Sequence, residues 1–340
     1  MAFIKSVLQE PSYGWCNANG DLVKPTPRQL LAEFVRKQNV FRCRKNWLPF
    51  FGWACILLLF PAFVAFVVLQ VQHFNVWLLV AAFLYGMVAM GTHGTIWYHR
   101  YCTHHAYVFK NRFWRFVTAN LVLKLIPEET YVVSHHVHHA LSDMPGDPYN
   151  ANGGFLYCFL ADVNHQPIAK NLSAANYQRV VQMFKHTGST VHGYEQYRKW
   201  GSASAPLPTI LGTFANWIFW FAVFYALGGL NLAIAIFAGA FVWGVGVRTF
   251  NYEGHAKGKT KHADGSDFNR NDNSINQLWP GIVAGEWHNN HHLYPNSARS
   301  GFLPHQVDFA WVYIRLLHVA GGVSSYRDDK AAFLKDYKQP

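Results

Sequence analysis

Four stretches of the chain, 48–69, 76–97, 207–227 and 230–247, contain no Asp, Glu, Lys or Arg. Each approaches the roughly 20 apolar residues that a helix needs to cross the hydrocarbon core of a bilayer. Only residues 70–75 separate the first two, and Gly228 with Gly229 punctuates the second two, so each pair predicts a tight helical hairpin. Two hairpins leave all the longer segments on one side. That side carries Lys37, Arg42, Arg44, Lys45, Arg100, Lys110, Arg112, Arg115, Arg198, Lys199, Arg248 and Lys257, and the excess of cations near span ends predicts that it is cytoplasmic. The expected architecture is an all-α membrane protein of one domain over 1–340. It has four transmembrane helices in two hairpins, and segments 98–206 and 248–340 meet in a helical cytoplasmic cap. Residues 113–126 are apolar but short and carry Arg115 and Lys124, which predicts a helix lying in the interface. Residues 309–319 read the same way, and 258–273 as a polar loop.

Composition agrees with this picture. Charged residues make up 14% of the chain, against roughly 25% in soluble proteins. The formal charge of +11 suits anionic lipid or an acidic protein partner, and no nucleic-acid-binding motif is present. Five cysteines are scattered without a CxxC pair, which excludes a zinc knuckle and predicts reduced thiols. Residues 1–46 are mixed polar sequence, so no signal peptide is expected.

Candidate chemistry lies in the 19 histidines. Positions i, i+3 and i+4 share a helix face, so the HxxHH run at 135–139 groups His135, His138 and His139, and the run at 288–292 groups His288, His291 and His292. His99 and His104 follow the second span. On an ideal helix they point apart, so they reach a common cluster only if the helix frays or bends after Tyr98. Asn251 and His255 lie one turn apart beyond the fourth span. Crowded imidazoles repel one another once charged, and a bound cation that needs them neutral removes that cost. Imidazole suits Zn, Cu, Fe or Ni. About nine ligands are too many for one ion and suit two metals that each keep a position open. Neither HExxH nor an ExxH pair of a carboxylate-bridged diiron bundle occurs. An all-nitrogen site facing a bilayer points to two irons, oxygen activation and an acyl substrate. His105 and His136 remain as further ligand candidates, and His93 either lines a cavity or bonds to a neighbouring helix. A membrane metal transporter or sensor is the non-enzymatic alternative, but it would place its ligands within the spans.

The segments HRYCTH, HHVHH with ALSDMPGDPYN, NYEGH, and GEWHNNHHLYPNSARSGF resemble the histidine boxes of the membrane fatty acyl desaturase family, over about residues 47–308. The resemblance implies an iron pair bound by His99, His104, His135, His138, His139, His255, His288, His291 and His292, with Asn251 acting through a water. It also makes Asp147 and Glu286 the carboxylates that orient imidazoles. Dioxygen is then the oxidant for a long-chain acyl substrate. The chain carries no HPGG haem-domain motif and no cysteine set for an iron–sulfur cluster, so a separate cytochrome b5 or ferredoxin with its reductase is implied as donor. The stretches Glu129–Ser134 and Ala284–His288 differ from those of many acyl-CoA members. This leaves the carrier open among coenzyme A, acyl carrier protein, phospholipid and free acid. Desaturation is the leading expectation, with oxidative decarboxylation to terminal alkenes, hydroxylation and acetylene formation as alternatives.

Overall fold

The computed structural model describes residues 2–161, 166–256 and 283–336. Among the described residues, three helical stretches are long and apolar enough to cross a membrane: Arg44–Gln72, Val76–Thr103 and Pro206–His255. Their apolar side chains largely face outward, Leu57, Ile218 and Leu227 among them, as expected where lipid rather than water is the solvent. Asn75 closes the link between the first two by accepting bonds from the amides of Trp77 and Leu78.

The third stretch is not one rod. Gly228 (φ −156°, ψ 20°) and Gly229 (φ 71°, ψ −169°) leave helical geometry, and the left-handed φ of Gly229 is one that only glycine adopts without strain. The Trp217 and Phe237 rings lie 6.3 Å apart. In a straight helix their separation in sequence would put them about 30 Å apart, so the two halves fold back on each other. The expected segments 207–227 and 230–247 are the arms of this hairpin.

Small residues decide how closely the long helices approach. A Cβ added at Gly86 would overlap the Gly239 carbonyl, and one at Gly239 would overlap the Ala82 carbonyl. Backbone packs on backbone here, the dense contact that holds helices together in lipid, where burial of apolar surface adds little. The second long helix also widens into π geometry over Leu84–Met90 and again over Gly94–Thr103.

The expected interfacial helix 113–126 is shorter than predicted: it spans Arg112–Ala119. Beyond it the backbone leaves the helix because side chains of the long helices take its hydrogen bonds. Asn216 accepts from the Lys124 amide at 3.0 Å and donates to the Val122 carbonyl at 3.1 Å, Trp217 Nε1 donates to the Lys124 carbonyl at 2.8 Å, and Tyr85 Oη accepts from the Leu123 amide at 2.9 Å. Irregular backbone among apolar helices persists only when its polar groups are satisfied in this way. His93 Nε2 donates to the Thr118 carbonyl of the Arg112–Ala119 helix at 2.8 Å, so the bond to a neighbouring helix is its role.

The remaining residues pack over one end of the long helices. Glu128–Leu141 is the central helix there, and Phe309–Val319 is helical as expected, with Val312, Leu316 and Val319 exposed along it. The all-α expectation misses one feature. Tyr107–Phe109 and Val323–Tyr326 form an antiparallel two-stranded ribbon that ties the segment after the second long helix to the C-terminal part of the chain. Three cations counted toward orientation are buried rather than exposed: Lys37 donates to Gln166 Oε1 at 2.8 Å, Arg100 bonds to Asp308 and nearby carbonyls, and Arg248 stacks on Trp53 at 3.7 Å. Lys257 and the expected loop 258–273 lie outside the described residues.

Candidate metal centre

Nine imidazoles converge from four segments and divide into two groups. His99, His104, His135, His139 and His291 form one; His138, His255, His288 and His292 form the other, and within each group the ring nitrogens lie within 4.8 Å of one another. The helices Glu128–Leu141 and His288–Leu293 carry the two HxxHH runs. Each sends its i and i+4 histidines to one group and its i+3 histidine to the other. The three directions fan over about a quarter of the helix circumference, enough to serve two neighbouring sites at once. The groups adjoin, with the His139 and His292 rings 4.5 Å apart.

His99 and His104 meet without fraying after Tyr98. The helix is still intact there but in π form, and the His104 amide bonds to the His99 carbonyl at 3.1 Å. In an i→i+5 bonded turn the fifth residue returns to nearly the same side, and the two rings stand 4.9 Å apart. His255 arrives on the short helix Phe250–Ala256. The side chain of Asn251 lies outside the described residues. His105 and His136 fall outside both groups, and His105 instead packs on His186 at 3.7 Å.

Carboxylates hold the outer nitrogens. Glu286 Oε2 lies 2.9 Å from His99 Nδ1, and its other oxygen 3.9 Å from His291 Nδ1. Asp147 bridges both oxygens to His138 Nδ1 at 3.0 Å, and Asp143 Oδ2 meets His255 Nδ1 at 3.0 Å. Tyr149 Oη is 2.9 Å from His135 Nδ1. A proton on Nδ1 facing a carboxylate leaves Nε2 with its lone pair. These Nε2 atoms face one another at distances down to 2.5 Å: His255–His288 at 2.5 Å, His99–His291 at 2.8 Å and His139–His291 at 2.9 Å. Nε2 of both His104 and His138 is buried with no hydrogen-bond partner among the described residues. Lone pairs turned on one another, together with orphaned buried nitrogens, fit two cations held by imidazole.

Burial, and after it the repulsion of neighbouring imidazoles, holds His104, His135, His138, His139, His288, His291 and His292 well below the ordinary histidine value. The rings are therefore neutral and able to ligate near pH 7.

Sequence reasoning missed Asp143, Tyr149 and the pair Arg100–Asp308. Asp143 follows the second box by four residues, and a carboxylate that close to a run of imidazoles is the available signal. Arg100 donates to the carbonyls of Ala298 (2.6 Å) and Gly285 (2.7 Å) and to Asp308 Oδ2 (2.9 Å). It thereby pins the segment preceding Glu286 and His288 onto the first box. Nothing in its sequence spacing to Asp308 announces that contact.

Between the second and third long helices an apolar cavity of about 170 Å³ reaches the histidines. Met87, Gly91, Ile126 and Trp243 line it, and so do His99, His135 and His288.

The fatty acid desaturase family profile matches residues 75–319. The sn-1 stearoyl-lipid 9-desaturase of Synechocystis sp. is 27% identical over 71% of this chain and 69% of its own length. The Delta-9 acyl-lipid desaturase 1 of Arabidopsis thaliana is 27% identical over 76% and 78%. A hex-5-enoyl-[acyl-carrier protein] acetylenase of Moorena producens is 29% identical over 68% and 71%.

Proposed function

The chain belongs to the fatty acid desaturase family and is an oxidoreductase; from that premise we propose that it introduces a double bond into a long-chain acyl group, using dioxygen and two irons held by the nine histidines. The observation that carries this reading is the convergence of nine imidazoles, seven of them buried, at the end of an apolar cavity. Such a cavity suits an alkyl chain. When bound, the iron pair supplies the reduction of dioxygen to two waters. Two electrons and two hydrogens come from adjacent methylenes, two electrons from an external donor and two protons from solvent.

The chain's own residues do the rest. Asp143, Asp147 and Glu286 hold the Nδ1 protons of His255, His138 and His99, which aims their Nε2 lone pairs inward. Asn251 contributes through a water. The apolar walls exclude bulk water from the reacting carbons. The electron donor is a separate cytochrome b5, or a ferredoxin with its reductase. Four transmembrane passes, two of them the arms of the broken helix, leave the termini and the metal site on the cytoplasmic side, where a soluble donor docks.

Acetylene formation is the second reading, favoured by the acetylenase among the relatives. Expression in a host of defined fatty-acid pool, followed by mass spectrometry of lipids, free acids and headspace hydrocarbons, tests both. An internal alkene supports the proposal and an alkyne the second reading. A terminal alkene or a hydroxy acid as the sole product overturns both.

A further inference from the structure

A second cavity, of about 510 Å³, lies apart from the histidines between the Arg112–Ala119 helix, the 187–190 turn and the start of the third long helix. Three cations, Arg112, Arg115 and Lys124, face one carboxylate, Glu128. Glu128 is 3.8 Å from Lys124 Nζ and also accepts from Trp97 Nε1 at 3.3 Å, so it neutralises only one of the three. Arg115 is steadied by a neutral partner, donating to the His186 carbonyl at 2.9 Å. Its guanidinium lies over Gly188, where a Cβ would come within 2.7 Å of Nη2. Two positive charges therefore remain uncompensated in a concave site, an arrangement that attracts a phosphate.

Its rim is of the opposite character. Phe116 and Phe219 line the cavity while 67% and 57% exposed, so the site offers cations inside and aromatic surface outside. A soluble anion uses only the first, whereas an amphiphile uses both. Ile126 lines this cavity and also the apolar cavity that ends at the histidines. The two cavities thus share Ile126 in their walls, with the head group placed in one and the alkyl chain in the other.

We propose that this cavity receives the phosphate ester at the head of the acyl substrate, with the acyl chain running past Ile126 to the metal centre. The proposal rests on the acyl desaturase reading and adds the substrate's polar end to it. A phospholipid of the bilayer and a soluble acyl thioester of coenzyme A share the phosphate chemistry, and the aromatic rim favours the phospholipid.

The test uses the full chain in nanodiscs of neutral galactolipid, supplied with reductant and donor. Stearoyl chains are offered on phosphatidylglycerol, on coenzyme A and on monogalactosyldiacylglycerol. Arg112→Gln, at an exposed position, and Arg112→Gln with Lys124→Gln are compared with Lys335→Gln, an exposed control outside this cavity. The expected result is a KM for the phosphatidylglycerol substrate raised about fivefold per cation removed, with kcat and galactolipid turnover unchanged. A rise confined to the coenzyme A substrate retains the phosphate site and overturns its assignment to phospholipid. Equal losses on all three substrates, or none, overturn the site. If the wild type desaturates nothing, the desaturase reading fails by itself. Native mass spectrometry of short-chain phosphatidylglycerol binding to the same variants then still decides the site, and wild-type affinity in the double variant overturns it.

Discussion

Replacing Asp143 by asparagine is expected to loosen one metal position and spare the other. Asp143 Oδ2 lies 3.0 Å from His255 Nδ1, and both residues are buried. Asn keeps the shape and accepts the left-handed φ of 60° found at Asp143 better than most residues, so the turn survives. What is lost is the negative charge that keeps the proton on Nδ1 and strengthens Nε2 as a ligand. Removing such a partner costs roughly 10- to 100-fold in metal affinity, or about 1.4–2.8 kcal/mol. The loss is expected in the four-histidine group, because His255 belongs to that group and not to the other. Glu286→Gln is the converse experiment, since Glu286 contacts His99 and His291 of the five-histidine group. The assay is iron retained per chain across a chelator titration. Asp143→Asn should release one iron at 10- to 100-fold lower chelator while the second follows the wild-type curve, and Glu286→Gln should weaken the other iron. Release of both irons together in either variant, or curves unchanged from wild type, would refute the division of the nine ligands.

Three further outcomes are expected. Gly86→Val places a side chain against the Gly239 backbone and should destabilise the helix pair by about 1–3 kcal/mol, read as a lower midpoint in thermal unfolding in detergent; an unchanged midpoint would show that the close approach is dispensable. Met87 lines both the cavity at the histidines and another apolar cavity, of about 190 Å³, among the long helices, so Met87→Ala should join them and shift products toward longer chains by gas chromatography, whereas an unaltered chain-length profile counts against a continuous tunnel. The seven histidines held below their ordinary value make the unfolded chain bind more protons than the folded one below about pH 6.5, so stability should be constant above that pH and fall beneath it. Metal-stripped protein should therefore lose thermal stability between pH 6.5 and 5, and restored metal should move that loss to lower pH. A flat profile for the stripped protein would show that the rings are not buried as described.

Much of the architecture was legible because its cause is local. Long runs without charge predict apolar helices, and Gly228–Gly229 predicts the break, since each depends only on residues adjacent in the chain. The same holds for the two HxxHH runs, whose helical spacing alone groups three imidazoles on a face. Residues 120–126 read as helix because their composition is apolar, and only Asn216, Trp217 and Tyr85, nearly a hundred residues away or on another helix, remove them from it. His99 and His104 looked divergent because α-helical periodicity was assumed, whereas the chain adopts π geometry over Gly94–Thr103.

The sequence by itself determined which side chains can ligate and roughly where along the chain they emerge. The tertiary structure alone decided their partition into five and four, the assignment of Asp143 to His255, and the anchoring of the third box by Arg100 and Asp308. The reason is physical: periodicity sets the direction of a side chain about its own helix axis, whereas which site it joins depends on how separate helices cross. That crossing is set by close backbone contacts such as Gly86 on Gly239 and by buried polar bonds between segments distant in sequence.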